Sequence, residues 1–342
     1  MNWSKKPLLV AGGLLVGLVV IMFVSLICGQ IDVSLREAVA IMGYHLGLPG
    51  FSAADFTAEQ EAVLWYIRLP RILVGMLVGA GLATAGAVMQ GVFGNPLADP
   101  GIIGVTAGAA FGAVVSIALG WSATTLFAMP MSALVGAAGA VAITVLLAMR
   151  KGKVPVVTLL LSGIAVGMLL GALTSGILIC VDEQKLQQYL FWMVGGLDYR
   201  RWEHVLLAVF PILGGIGVMW MLARHLNILV LGDTEARAVG MPVMPFRLGL
   251  LFLASLVTAT SVCVSGSIGF VGLVVPHMMR MTVGPDHRRL IPASALCGAF
   301  LLVVCDTIGR TVVSPTEIRV GIVTALLGTP YFLYLLRKMQ NR

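Results

Sequence analysis

The sequence predicts an all-α integral membrane protein, a single transmembrane domain of about ten spanning helices over residues 1–342. Three observations carry that prediction. Hydrophobic residues make up 59% of the chain and charged residues only 11%, whereas a soluble domain carries roughly 25% charged residues. The apolar residues fall in long runs, each near the roughly 20 residues that a helix needs to cross a bilayer. The charges gather between those runs, unevenly on the two sides.

The first run, 7–28, follows Lys5 and Lys6, is long enough to span, and ends without an A-x-A cleavage site, so it reads as a retained helix rather than a signal peptide. A polar segment, 29–62, comes next. Further spans are expected at about 63–92, 104–120, 124–149, 156–180 and 203–223. A polar insert at 224–243 interrupts the series. The last four spans fall at about 244–264, 271–283, 287–309 and 319–338. The runs at 104–120 and 271–283 are short or glycine-rich for a span. The 41 glycines suit close helix approach in a membrane. Cys28, Cys180, Cys263, Cys297 and Cys305 are scattered, with no C-x-x-C and no zinc spacing, and read as small packing residues.

Charge sets the expected orientation. With both termini cytoplasmic and sides alternating, the cytoplasmic Lys and Arg are Lys5, Lys6, Arg150, Lys151, Lys153, Arg224, Arg237, Arg247, Arg280, Arg288, Arg289, Arg337, Lys338 and Arg342. The outer set is smaller: Arg36, Arg68, Arg71, Lys185, Arg200, Arg201, Arg310 and Arg319. That excess is the positive-inside pattern. A net charge of +7 then needs only anionic lipid as its partner and no nucleic acid.

Three stretches carry the chemistry. Arg68-Leu-Pro-Arg71 opens a Gly/Ala-rich helix that runs into Gln90-Gly-Val-Phe-Gly-Asn95-Pro96-Leu-Ala-Asp99-Pro100. Prolines four apart cannot continue an undisturbed helix, so a turn is expected there, with Asn95 and Asp99 as caps. The second stretch runs from Ser265 to Pro276-His277 and on to Asp286-His287-Arg288; the third runs from Glu317 to Pro330. The first two share a Gly/Pro-punctuated helix end and would point in opposite directions. That suits an inverted repeat, although such punctuation is also common by chance.

In this order the three stretches are similar to the permeases of iron-siderophore, haem and cobalamin uptake, the FecCD-type family of type II ABC importers. The likeness extends from about Arg68 to Lys338. It implies a multi-pass permease of the bacterial or archaeal inner membrane, working as a homodimer or close heterodimer. Two ATPase subunits would sit on the cytoplasmic side and a substrate-binding protein on the outer side. It also implies that ATP and magnesium belong to the partner ATPase, and this chain has no G-x-x-x-x-G-K-[ST] loop. The expected cargo is an iron chelate, a ferric siderophore or haem, with cobalamin or molybdate as the alternative.

The resemblance assigns residues as well. The insert reads as two short helices broken at Gly232 and Gly240, and Leu231, Gly232, Asp233, Glu235, Arg237 and Gly240 would couple it to the ATPase. Without the resemblance the same segment reads as an amphipathic connector. Arg68, Arg71 and Arg310 match arginines that receive acidic side chains of the binding protein in the cobalamin member, although interfacial arginines also snorkel to headgroups. Val156 and Val157 fall at the cytoplasmic gate, or else in ordinary helix packing. Arg319 departs from the family, whose members often have Pro there; it and Arg200 stand near the outer vestibule, where they would meet an anionic chelate, and for Arg319 an internal pair with Glu317 is the expected arrangement.

Two other classes are open to test. An intramembrane hydrolase would use Ser265 or Ser267 with His277, but no third orienting group is evident. A proton-coupled transporter would need an intramembrane relay, for which Asp306 and His277 are the candidates.

Overall fold

The computed structural model describes residues 6–29, 33–149, 154–313 and 316–340. Lys5, Arg150, Lys151, Lys153 and Arg342 of the expected basic rim lie outside the described residues, as do the side chains of Lys6 and Lys338. In chain order the helices are α1 (Lys6–Ile27), α2 (Leu35–His45), α3 (Ala58–Glu61), α4 (Leu69–Phe93), α5 (Val105–Ala118), α6 (Ala128–Ala148), α7 (Val156–Cys180), α8 (Glu183–Val194), α9 (Trp202–Met221), α10 (Ala223–Leu229), α11 (Asp233–Ala238), α12 (Val243–Ser265), α13 (Val271–Val283), α14 (His287–Thr311) and α15 (Val320–Gln340). Among the described residues, seven helices are long and apolar enough to cross a membrane, and Val105–Ala118, Val271–Val283 and Val320–Tyr334 are shorter apolar helices. These ten match the ten runs expected from hydropathy.

α4 is the axis of the bundle. The continuous helical run Ala58–Phe93 is 83% buried over its most apolar window, against 17% for α1 and for α7. It packs on α9, α12, α13 and α14. Small residues make that possible. A methyl group on Gly79 would strike Gly298 O of α14, and one on Gly86 would strike Gly272 O of α13. Backbones therefore meet directly, as small-residue seams allow in membranes. Ahead of α4, residues Ala62–Arg68 widen into a π-helix in which Leu69 N donates to Leu64 O. The widening falls just before Pro70, whose ring cannot sit over a regular helical carbonyl.

α4 ends at Gly94, whose φ of +60° is the left-handed cap that glycine adopts without penalty. The turn beyond uses the expected caps: Asn95 Oδ1 accepts from Leu97 N at 2.9 Å and Asp99 Oδ1 from Gly101 N at 2.7 Å. The two Gly/Pro stretches also meet, because Gln90 Nε2 donates to Leu273 O at 3.1 Å.

Besides the four-residue α3, two longer helices, α2 and α8, lie where the sequence reading placed no span. α2 begins at a capping box, Ser34 with Glu37, and α8 begins at Asp182, whose carboxylate accepts from Lys185 N at 2.9 Å.

Candidate functional site

Functional side chains gather at the two ends of the bundle. One end holds the insert α10–α11, the start of α14 and the end of α4. The other holds the start of α4 and the end of α14.

At the insert end, α10 and α11 are two short helices parted by Gly232, whose φ of +123° only glycine holds easily. Gly240 follows α11 with φ +77°. Both breaks therefore fall at the expected positions. Asp233 forms an ion pair with Arg247 of α12, and the Arg247 hydrogen bond holds its carboxyl below the usual range. Arg247 is itself buried, at 8% exposure. Asp233 is thus engaged within the chain, while Glu235, Arg237 and Gly240 are exposed. Leu231 and Val239 are 69% and 68% exposed, beside fully buried Ala236. The insert therefore presents a mixed apolar and charged surface on a tethered frame.

At the opposite end the expected docking arginines turn inward. Arg71 is 7% exposed. Its Nε donates to both Asp306 oxygens, at 3.1 and 3.0 Å, and its Nη2 donates to Asp306 Oδ1 at 2.8 Å. Its Nη1 reaches Glu317 Oε2 at 2.8 Å, and Asp198 Oδ1 lies 3.3 Å from Nη2. Arg310 Nε lies 3.3 Å from Asp306 Oδ2, and its Nη2 donates to Ser25 O at 3.0 Å. Arg68 Nη1 donates to Leu26 O at 2.6 Å and to Ile27 O at 3.0 Å. The rim arrangement expected for Arg68, Arg71 and Arg310 is corrected accordingly: each guanidinium serves an internal carboxylate or carbonyl, because desolvated arginine holds the nearest acceptors.

The expected Arg319–Glu317 pair is also corrected. Glu317 goes to Arg71, and Arg319 Nη1 donates to Phe191 O at 2.8 Å while its Nη2 lies 3.5 Å from Asp198 Oδ2. The Arg319 guanidinium lies over the Phe191 ring, 4.5 Å from its centroid. Arg200 stands close by with its Nε bonded to nothing among the described residues. Burial draws its pKa down to about 10 against the pull of Asp198. Four guanidinia, those of Arg71, Arg200, Arg310 and Arg319, thus face the carboxylates of Asp198, Asp306 and Glu317. Asp198 lay outside the residues singled out from sequence; its only local signal is its place beside the Gly195-Gly196 pair.

The two valines expected at the gate differ in setting. Val156 packs on the main apolar core and Val157 is 67% exposed. The other classes find little support. Asp306 is held by two arginines, which is poor placement for a proton relay, and the Ser265 hydroxyl donates to the Ser261 carbonyl at 2.8 Å.

A bundle of apolar helices around a glycine-seamed axis, with a short tethered insert between two spans, defines a multi-pass membrane protein. Its relatives narrow that class. The chain belongs to the FecCD transport family, whose sequence profile matches residues 17–338. It is 39% identical to the hemin transport system permease of Yersinia pestis over 100% of this chain and 99% of that protein. It is 45% identical to a cobalamin import system permease of Halobacterium salinarum over 82% of this chain and 75% of that one. Its fold matches a metal-chelate type ABC transporter solved in an inward-facing conformation, with a TM-score of 0.84, 35% identity, and coverage of 96% of this chain and 98% of that one. The chain is an ABC importer permease of this family.

Proposed function

We propose that the chain is the membrane-spanning subunit of an ATP-driven importer that carries an iron chelate, a ferric siderophore or haem, into the cytoplasm. The insert carries the proposal. Exposed Leu231 and Val239 stand among Glu235 and Arg237 on a frame fixed by Asp233–Arg247, a surface suited to a separate ATPase. Leu231, Gly232, Asp233, Glu235, Arg237 and Gly240 form that contact, with Asp233 anchoring it from within. The insert end is then cytoplasmic, together with both termini, and the arginine end faces the substrate-binding protein. Two copies of the chain form the pore in the cytoplasmic membrane. The exposed apolar faces of α7 and α15, which include Met168 and Leu326, support a second copy or lipid around them. ATP and magnesium bind the partner ATPase.

End-to-end likeness to a hemin permease supports the haem or siderophore cargo, and the cobalamin relative makes cobalamin the second reading. Arg200, with its unmet Nε, is the better candidate of the two vestibule arginines for an anionic chelate, since Arg319 is engaged three ways. The test is reconstitution in proteoliposomes with the cognate ATPase and binding protein. ATP-dependent accumulation of iron chelate is expected. Accumulation of cobalamin or molybdate alone would establish the other cargo. Uptake driven by a proton gradient without the ATPase would overturn the importer reading.

A further inference from the structure

We infer that Asn227 is a positioning residue that hands movement of the α10–α11 insert to the ends of α14 and α4. The inference rests on the insert being the ATPase contact. Asn227 lies on α10, and both polar atoms of its amide are engaged. Oδ1 accepts from His287 N at 3.0 Å and lies 2.7 Å from His287 Nδ1. Nδ2 donates to Asp286 Oδ1 at 2.7 Å. That same Asp286 oxygen accepts from Arg288 N at 3.0 Å and so caps α14. One side chain of the insert therefore completes the N-terminal cap of a long span.

The hydrogen positions follow from the geometry. A backbone N–H only donates, so the Asn227 atom facing His287 N is its oxygen. The ring nitrogen beside that oxygen must then carry the proton. His287 Nε2 is left as the bare lone pair. It is aimed at Gly91 near the end of α4, where a Cβ would come within 2.8 Å of it. His287 is only 4% exposed. One path from insert to axis thus runs α10, Asn227, His287, Gly91. Apolar packing also ties α10 to the bundle, through fully buried Leu226 beside the same Gly91, but packing has no direction, whereas the Asn227 hydrogen bonds fix the start of α14 to one point of α10.

The experiment uses the whole complex, with ATPase and binding protein, in proteoliposomes. For N227A we expect normal assembly and ATP hydrolysis, but at least about a twofold drop in substrate moved per ATP, the low end of the net worth of a hydrogen bond. N227D should fall as far, since its carboxylate meets Asp286. The double variant N227D/D286N removes the repulsion: His287 donates to the carboxylate on α10, and an amide at residue 286 can donate to that carboxylate, but the one atom position that met both Asn227 and Arg288 N then serves only one of them. Transport per ATP should rise clearly above that of N227D without reaching the wild-type level, a partial rescue that general loss of packing would not give. L231E separates the premise from the inference. If L231E abolishes ATPase assembly while N227A leaves transport per ATP unchanged, the relay is wrong and the proposed function stands. If L231E assembles normally, the insert is not the ATPase contact. A second measurement covers poor folding of N227A: spin labels at exposed Arg224 of α10 and Arg289 of α14 should keep one distance with and without nucleotide, and a nucleotide-dependent shift would overturn the relay.

Discussion

Asp306→Asn is the substitution that most sharply tests the buried ion cluster. The carboxylate is 3% exposed and receives three close contacts from Arg71 and one from Arg310. Asparagine keeps the shape and removes the charge, so two desolvated guanidinia lose their shared anion. Removing one partner of a buried pair typically costs about 3–5 kcal/mol. Glu317→Gln offers an internal comparison, because that carboxylate touches the same Arg71 but is 36% exposed. Exposed pairs contribute about 0–1 kcal/mol. Arg71→Ala should fall between the two, since Asp306 would keep Arg310. The assay is unfolding of the purified protein in mixed lipid–detergent micelles by titrated SDS, followed by tryptophan fluorescence. If Asp306→Asn is no more damaging than Glu317→Gln, the cluster is not a stabilising element and the reasoning fails.

The remaining predictions concern single contacts. Gly86→Ala should destabilise by about 1–3 kcal/mol or more, because its methyl meets the backbone of α13 and nothing there can rotate away; Gly171→Ala, whose methyl meets nothing within 4 Å, should be tolerated, with surviving folded protein after heating as the readout. The Asp233 carboxyl is held low by Arg247, so its contribution is full above the ordinary carboxylate pKa of about 4 and is lost as pH falls below it. Hydrogen exchange of α11 amides, corrected for intrinsic rate, should rise over that range, and a flat profile would contradict the tether. Cysteine at Val157, which is 67% exposed, should cross-link between two copies if this end of α7 closes the pore, while cysteine at half-buried Val156 should not. Equal cross-linking at both would remove the distinction drawn between them.

The spans were legible because hydropathy alone separates twenty apolar residues from anything soluble. The breaks at Gly232 and Gly240, the Asn95 and Asp99 caps and the turn after α4 were also written locally, as chain chemistry that needs no distant partner. α2 and α8 were missed because amphipathic helices do not stand out in a hydropathy count, although Ser34-x-x-Glu37 and Asp182 ahead of Glu183 were readable start signals. The ion cluster was not legible for a different reason. Arg71 and Asp306 are 235 residues apart, and nothing near either one names the other. The docking reading of Arg68, Arg71 and Arg310 rested on their type and likeness to another protein's arginines, and type alone does not distinguish a rim arginine from a buried one. Nothing in the sequence of the insert singles out Asn227, since its importance lies in where α14 begins.

The end of α1 bears on how the chain is assembled. Apart from that end, α1 shows the surrounding medium an apolar surface, with Leu8 at 79% and Val16 at 64% exposure. Its last carbonyls, including those of Ser25, Leu26 and Ile27, are met by Arg68 and Arg310. The ribosome makes α1 well before either arginine, and Arg310 comes 285 residues after Ser25. Until then this helix can reside in lipid, seated at its end only by the early chain, through Arg68 and the cluster of Leu26 with Leu64 and Leu69. Its final placement is therefore a late event of biogenesis, completed only when α14 has been made and has delivered its far end.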